Sequence, residues 1–223
     1  MKRKRSFKLG FISILSGLII IFFGGSKFQV FQSQHCHWKD IDCNSYFHKY
    51  TRVVVEETWG QAGIVAYLAA AQWMSTNNGS SQELDNIQKQ FLRPYFGSLV
   101  DRVAIVYKAK LMDDWLYAGF KIDIGQVDAI AQTYCDRIYV EASYKPNDPS
   151  QLMLLAHELV HFMQCEKLGG KAMFGYYYFK EFKKAGQNYE NNKLEREAND
   201  FQGQFAKWLS HHLANDTADL ERG

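Results

Sequence analysis

Asp148-Pro149-Ser150-Gln151-Leu152-Met153-Leu154-Leu155-Ala156-His157-Glu158-Leu159-Val160-His161-Phe162-Met163-Gln164 is the stretch from which the rest of the chain can be read. It opens with Asp at a helix N-cap, Pro at the first helical position and Gln at the capping-box position. It runs on to about Leu168 and stops at Gly169-Gly170. Leu152, Met153, Leu154, Leu155, Leu159, Val160, Phe162 and Met163 make nearly every face apolar, so the helix belongs inside a domain. Within it stands His157-Glu158-Leu159-Val160-His161. Residues four apart share a helical face, so both imidazoles point the same way and a single metal ion can accept both. Two buried histidines and a glutamate without partners would be costly, and a metal supplies the partners.

Working outward, the chain reads as an α+β domain. Tyr46–Trp73 has helical composition and ends before the turn-rich Ser75–Ser81. A second helix is predicted over Gln82–Phe96. Arg102–Tyr107 is a strand by its β-branched content, Lys121–Ile124 a short one, and Ala131–Val140 contains another. Two more helices follow, Ala172–Lys184 and Leu194–Leu213. Helices on both sides of a small set of strands point to α+β. The expected organisation is 1–25 membrane anchor or signal segment, 26–45 juxtamembrane stretch, 46–213 the folded domain and 214–223 a polar tail.

The chain has 223 residues, 47% of them hydrophobic and 22% charged, which suits one domain with a sizeable core. The formal net charge is +2, but Lys2, Arg3, Lys4, Arg5 and Lys8 lie together at the start. No basic stripe of the kind nucleic acid requires remains, so a nucleic-acid partner is not expected. The uncharged run Leu9–Gly25 falls between a secretory apolar region (~7–15 residues) and a spanning helix (~20). It lacks a clear cleavage site and reads as an uncleaved anchor in preference to a signal peptide. The domain is therefore expected outside the cytoplasm, tethered to a membrane, or secreted if the segment is removed. The four cysteines agree: Cys36, Cys43, Cys135 and Cys165 are disulfide candidates, with Cys36–Cys43 and Cys135–Cys165 the simplest closures. His35-Cys36-His37 with Cys43 is the alternative metal reading, at a spacing that fits no common zinc motif.

A catalytic zinc takes three protein ligands and a water. Gln164 and Lys167 stand where an H-E-x-x-H-x-x-G-x-x-H pattern would need Gly and His, which excludes that group. Downstream lies Leu194-Glu195-Arg196-Glu197-Ala198-Asn199-Asp200, an E-x-x-A-N segment. It resembles the third-ligand helix of the gluzincins, E-x-x-[A/S]-D in thermolysin-like peptidases and in the membrane peptidases that process prenylated proteins. The wider pattern, His157–Gln164, Leu168-Gly169, an aromatic-rich helix and Asn192–Ala198, looks like a bacterial family of small gluzincins commonly described only as a domain of unknown function. That similarity covers roughly residues 95–205. The resemblance implies a zincin-like fold, Zn²⁺ held by His157, His161 and Glu195, and an edge strand before the active-site helix that pairs with a peptide. It also implies that Asn199 stands where the family has an aspartate orienting a ligand histidine, with Asp200 as the neighbouring substitute. Two other readings of the helix stay open. Glu195 could cap it, and Glu197 is the competing ligand; at ~200° apart only one of the two can face a metal.

Glu158 is placed to take a proton from a metal-bound water, whose pKa zinc lowers to roughly 7. The resulting expectation is a zinc metallopeptidase acting on peptide or protein substrates, with Glu158 as general base. The alternative is a non-catalytic zinc-binding module that serves as a membrane-tethered binding or scaffold protein. Tyr176, Tyr177, Tyr178, His211 and His212 are the available donors for a developing oxyanion, although each also has an ordinary packing or surface reading. Asn78-Gly-Ser80 and Asn215-Asp-Thr217 match glycosylation sequons.

Overall fold

A computed structural model of the chain describes residues 41–112 and 130–220, with short segments at 14–15, 18–19, 115–117 and 120–122. In chain order the elements are β1 (Ile14–Leu15), β2 (Leu18–Ile19), α1 (Ile41–Asn77), β3 (Gln82–Glu83), α2 (Asn86–Phe96) and β4 (Ala104–Tyr107). They continue with β5 (Trp115–Tyr117), β6 (Phe120–Ile122), β7 (Ala131–Thr133), β8 (Arg137–Val140), α3 (Pro149–Leu168), α4 (Lys171–Lys184) and α5 (Lys193–Leu220). A 3₁₀ turn over Gly97–Asp101 follows α2. The chain divides into two units, Met1–Thr51 and Arg52–Gly223; the architecture below is that of the second. The anchor expected over 1–25 lies outside the described residues apart from β1 and β2, which pair antiparallel with each other. Among the described residues no helix is long and apolar enough to cross a membrane.

The fold is α+β with a small mixed sheet. Its four strands run in the order β3-β4-β8-β7. β4 and β8 are parallel, and β3 and β7 flank them antiparallel. Side chains alternate across a sheet with period two, and here the two faces feed two cores. Ile105, Ile138 and Val140 join Leu155, Leu159 and Phe205 in one cluster. Val106 and Tyr139 join Tyr67, Ala70 and Met74 of α1, together with Phe174 and Leu194, in the other. Leu155 and Leu159 are fully buried, and each contributes roughly 1.5–3 kcal/mol by leaving water. The apolar residues that surround the H-E-x-x-H motif therefore seat α3 deep against the sheet.

The helix ends are built as their residues dictate. The Asp148 carboxylate accepts from Ser150 N (2.9 Å) and Gln151 N (3.4 Å), and Pro149 occupies the first turn. Gly169 closes α3 at φ +98°, a left-handed conformation that glycine adopts without a Cβ clash. The capping box anticipated at Gln151 does not form. The Gln151 amide instead accepts from Lys145 N and donates to Ser143 O, tying down the loop before the helix.

Several boundaries differ from expectation, each for a local reason. The helix expected from Tyr46 begins earlier, within the juxtamembrane stretch 26–45, because α1 starts at Ile41. Gln82–Glu83 pairs with β4 instead of opening α2; the helix starts after Asp85, where Asp85 and Gln88 form a reciprocal capping box. The strand expected within 131–140 is two strands of a hairpin, with the turn at Cys135 in a left-handed conformation (φ 63°). The polar tail expected from 214 is helical as far as Leu220, and no Pro or Gly interrupts it there. Asn78, read as a sequon, is a tertiary clamp: its amide accepts from Lys110 N (2.7 Å) and donates to Lys110 O (3.1 Å).

Candidate metal centre

α3 supplies two side chains of the site from one face. His157 Nε2 and His161 Nε2 lie 3.1 Å apart. The third group comes from the first turn of α5. Glu195 Oε2 is 3.4 Å from His157 Nε2 and 3.3 Å from His161 Nε2. The three residues are 7%, 6% and 2% exposed, and together they form a buried group that could hold a metal ion. A four-coordinate ion with bonds of ~2.0–2.1 Å keeps its ligand atoms ~3.3 Å apart, the spacing these three atoms have. Among the described residues, two buried side-chain atoms have no hydrogen-bond partner, His157 Nδ1 and Glu195 Oε2. An unpartnered carboxylate oxygen aimed between two imidazole nitrogens is costly for a protein by itself and is satisfied by a cation. The donor set fits such an ion.

Two other elements complete the walls. Glu195 Oε1 accepts from the Tyr178 hydroxyl on α4 (2.7 Å), and the Tyr189 side chain lies near enough to the Glu195 carboxylate to favour its charged form. The Tyr178 bond occupies Oε1 and leaves Oε2 facing the histidines. Burial alone would raise the Glu195 carboxyl, but His161, His157 and Tyr189 outweigh it and hold the group well below the usual carboxylate range. Burial likewise works against a charged His161, yet the Glu195 carboxylate prevails and holds the imidazole up at about 9. A metal entering near neutral pH must therefore displace a proton. Burial, with the charge of Glu195 beside them, raises the Tyr178 and Tyr189 hydroxyls, so both stay protonated and Tyr178 remains a donor to Glu195.

Glu158 is buried next to His157 in sequence, and its Oε2 accepts from the Thr133 hydroxyl of β7 (2.7 Å). Asn192, not Glu195, caps α5: its side-chain oxygen accepts from Leu194 N (3.1 Å). Glu197, the competing ligand, is exposed and accepts from the Gln164 amide (3.1 Å). Asn199 and Asp200, expected to orient a ligand histidine, are exposed on α5 and do not do so. The position is filled from α3, where His161 Nδ1 meets Gln164 Oε1 at 2.9 Å. An amide three residues after a ligand on the same helix is reachable by the i, i+3 rule, and that spacing was the one available signal for it. Thr133 and Tyr189 carry no such signal, because they reach the site only through the fold.

Cys135 and Cys165 form a disulfide that ties the β7–β8 turn to α3. Cys36 and Cys43 lie outside the residues whose side chains are described. Tyr176 donates to Glu57 on α1, away from the triad, and Lys180 pairs with the same carboxylate. Tyr177 and His211 are exposed, and His212 stacks on Trp208. Of the expected oxyanion donors, Tyr178 alone has its hydroxyl at the centre. A cavity of ≈ 340 Å³ lies elsewhere, lined by residues that include Leu68, Gln72, Ser75, Arg137 and Lys171, and none of the triad borders it.

Residues 119–168 match the family model described as the eCIS core domain. The matched span takes in β6 to α3, with His157, Glu158 and His161, and ends before the helix that carries Glu195. No curated protein and no solved structure matches the chain.

Proposed function

We propose that the domain is a zinc metallopeptidase of the gluzincin kind, with a zincin-like arrangement of sheet, active-site helix and third-ligand helix. The observation that carries this reading is the convergence of His157, His161 and Glu195 into one buried group with Glu158 on the same helix. Two imidazoles and a carboxylate are a donor set that zinc favours in catalytic sites. A bound zinc would supply Lewis acidity and acidify a water at neutral pH. Thr133 holds Glu158 by Oε2, which leaves Oε1 as the oxygen that takes a proton from the attacking water and delivers it to the leaving amine. β7 is an edge strand of the described sheet, and Thr133 links it directly to the general base. A peptide added along such an edge would be held by main-chain hydrogen bonds. The Cys135–Cys165 disulfide supports a location outside the cytoplasm, with the N-terminal segment as tether.

A second reading, a zinc-binding module without turnover, draws on the 5% exposure of Glu158. One comparison separates the two. The full chain is loaded with zinc and incubated with a mixed peptide library, beside a Glu158→Gln variant. The peptidase reading expects hydrolysis by the parent and a loss of roughly 10²–10⁴-fold in the variant at equal zinc content. Equal hydrolysis in both would overturn the role of Glu158. A zinc-loaded parent that cleaves nothing would leave the binding module.

A further inference from the structure

Gln164 makes three hydrogen bonds, and their chemistry determines which nitrogen of His161 carries a proton. Its Nε2 lies 3.0 Å from Leu194 O and 3.1 Å from Glu197 Oε2. A backbone carbonyl and a carboxylate are acceptors only, so the NH₂ end of the amide must face them and both of its hydrogens are used. Flipping the amide would set its oxygen against two other oxygens. The Oε1 end is thereby committed to His161, at 2.9 Å from Nδ1. That oxygen can only accept, so Nδ1 must hold the hydrogen. Nε2 is then the nitrogen that gives up its proton and turns a lone pair to a metal, and it is the one that faces Glu195 Oε2 and His157 Nε2.

We infer that Gln164 is a positioning residue that locks His161 in the Nδ1–H form and couples the two helices of the metal centre. The coupling is direct, because Leu194, whose carbonyl receives the amide, immediately precedes Glu195 on α5. One neutral side chain thus joins the imidazole of one ligand to the backbone that carries another. This is the work the aspartate of the gluzincin pattern was expected to do from α5, performed here from α3. Gln164 is buried, so its bonds to His161 and to Leu194 O are shielded from solvent. His157 has no such lock, since its Nδ1 has no partner among the described residues.

The inference rests on the metal-centre reading, and the test keeps the two apart. Zinc affinity is measured by chelator competition on the full chain, for the parent, Gln164→Met and Gln164→Glu. Methionine keeps the length and removes every hydrogen bond; glutamate keeps an acceptor for Nδ1–H. Methionine is expected to weaken zinc ~10–100-fold, and glutamate to restore part of that loss. In the zinc-loaded parent, long-range ¹H–¹⁵N spectra are expected to show His161 with a protonated Nδ1 and a metal-bound Nε2. A parent whose His161 binds through Nδ1 overturns the inference even if neither variant folds. So does a folded Gln164→Met that binds zinc as tightly as the parent with the same histidine spectrum. A folded parent that binds no zinc overturns the metal-centre reading itself, and the inference with it.

Discussion

Glu195 and Glu197 stand two residues apart at the start of α5, yet they live in different media. Glu195 is buried against two imidazoles, while Glu197 reaches solvent and shares a weak contact with Lys193 (3.8 Å). The helical period alone separates them, since side chains two apart point to opposite sides. Glu195→Ala is therefore expected to abolish metal binding. Glu197→Ala is expected to keep the same stoichiometry, because the Gln164 amide retains its bond to Leu194 O. Metal analysis after equilibrium dialysis of the full chain checks both, and the opposite result would make Glu197 the ligand. The Glu195 carboxylate, outweighing burial, also sets the protonation of His161. With His161 held up at about 9, protons compete with metal across the neutral range, and affinity should fall as pH is lowered.

At the level of elements, the close crossing of α1 and α4 supports the side of the site that Tyr178 and Tyr67 supply. A Cβ on Gly175 would come within 2.6 Å of Tyr67 Cβ and 2.7 Å of Gly63 O. Tyr67 in turn donates to Thr133 O (2.8 Å) on the strand that holds Glu158. Gly175→Ala should destabilise the domain by about 1–3 kcal/mol through overpacking, against a helix-propensity gain of at most ~1 kcal/mol. Gly203 on α5 has nothing within 4 Å of the same probe position. Gly203→Ala should accordingly stabilise, by about 0.5–1 kcal/mol. Urea unfolding of the two variants checks the signs, and equal signs would mean the helices do not cross as closely as described.

For the molecule as a whole, the disulfide joins the two elements that carry Thr133 and His161. Cys135 lies two residues after Thr133, and Cys165 four after His161. With a sequence separation of 30, closing that loop restricts the unfolded chain by about 3–4 kcal/mol in the chain-entropy account. Replacing both cysteines by serine should lower the unfolding free energy by about that amount, read from denaturant curves of the metal-free protein. An unchanged midpoint would show that the bridge is not formed in the folded chain.

Much of this could be read from the residues in order. Period and capping residues located α3 and its ends, because an N-cap, a proline and a terminal glycine act within one or two turns. The spacing of His157 and His161 was legible for the same reason: a helix converts sequence distance into spatial distance. Glu195 was reached only through a resemblance, since α4 and a loop separate it from α3 and no local rule spans that gap. The tertiary structure alone decided which groups hold the ligands. It put Gln164 on His161 where Asn199 or Asp200 was expected, Tyr178 on Glu195, and Thr133 on Glu158. Those partners are set by how buried elements pack, and a hydrogen bond between side chains distant in sequence leaves no periodic trace in the chain.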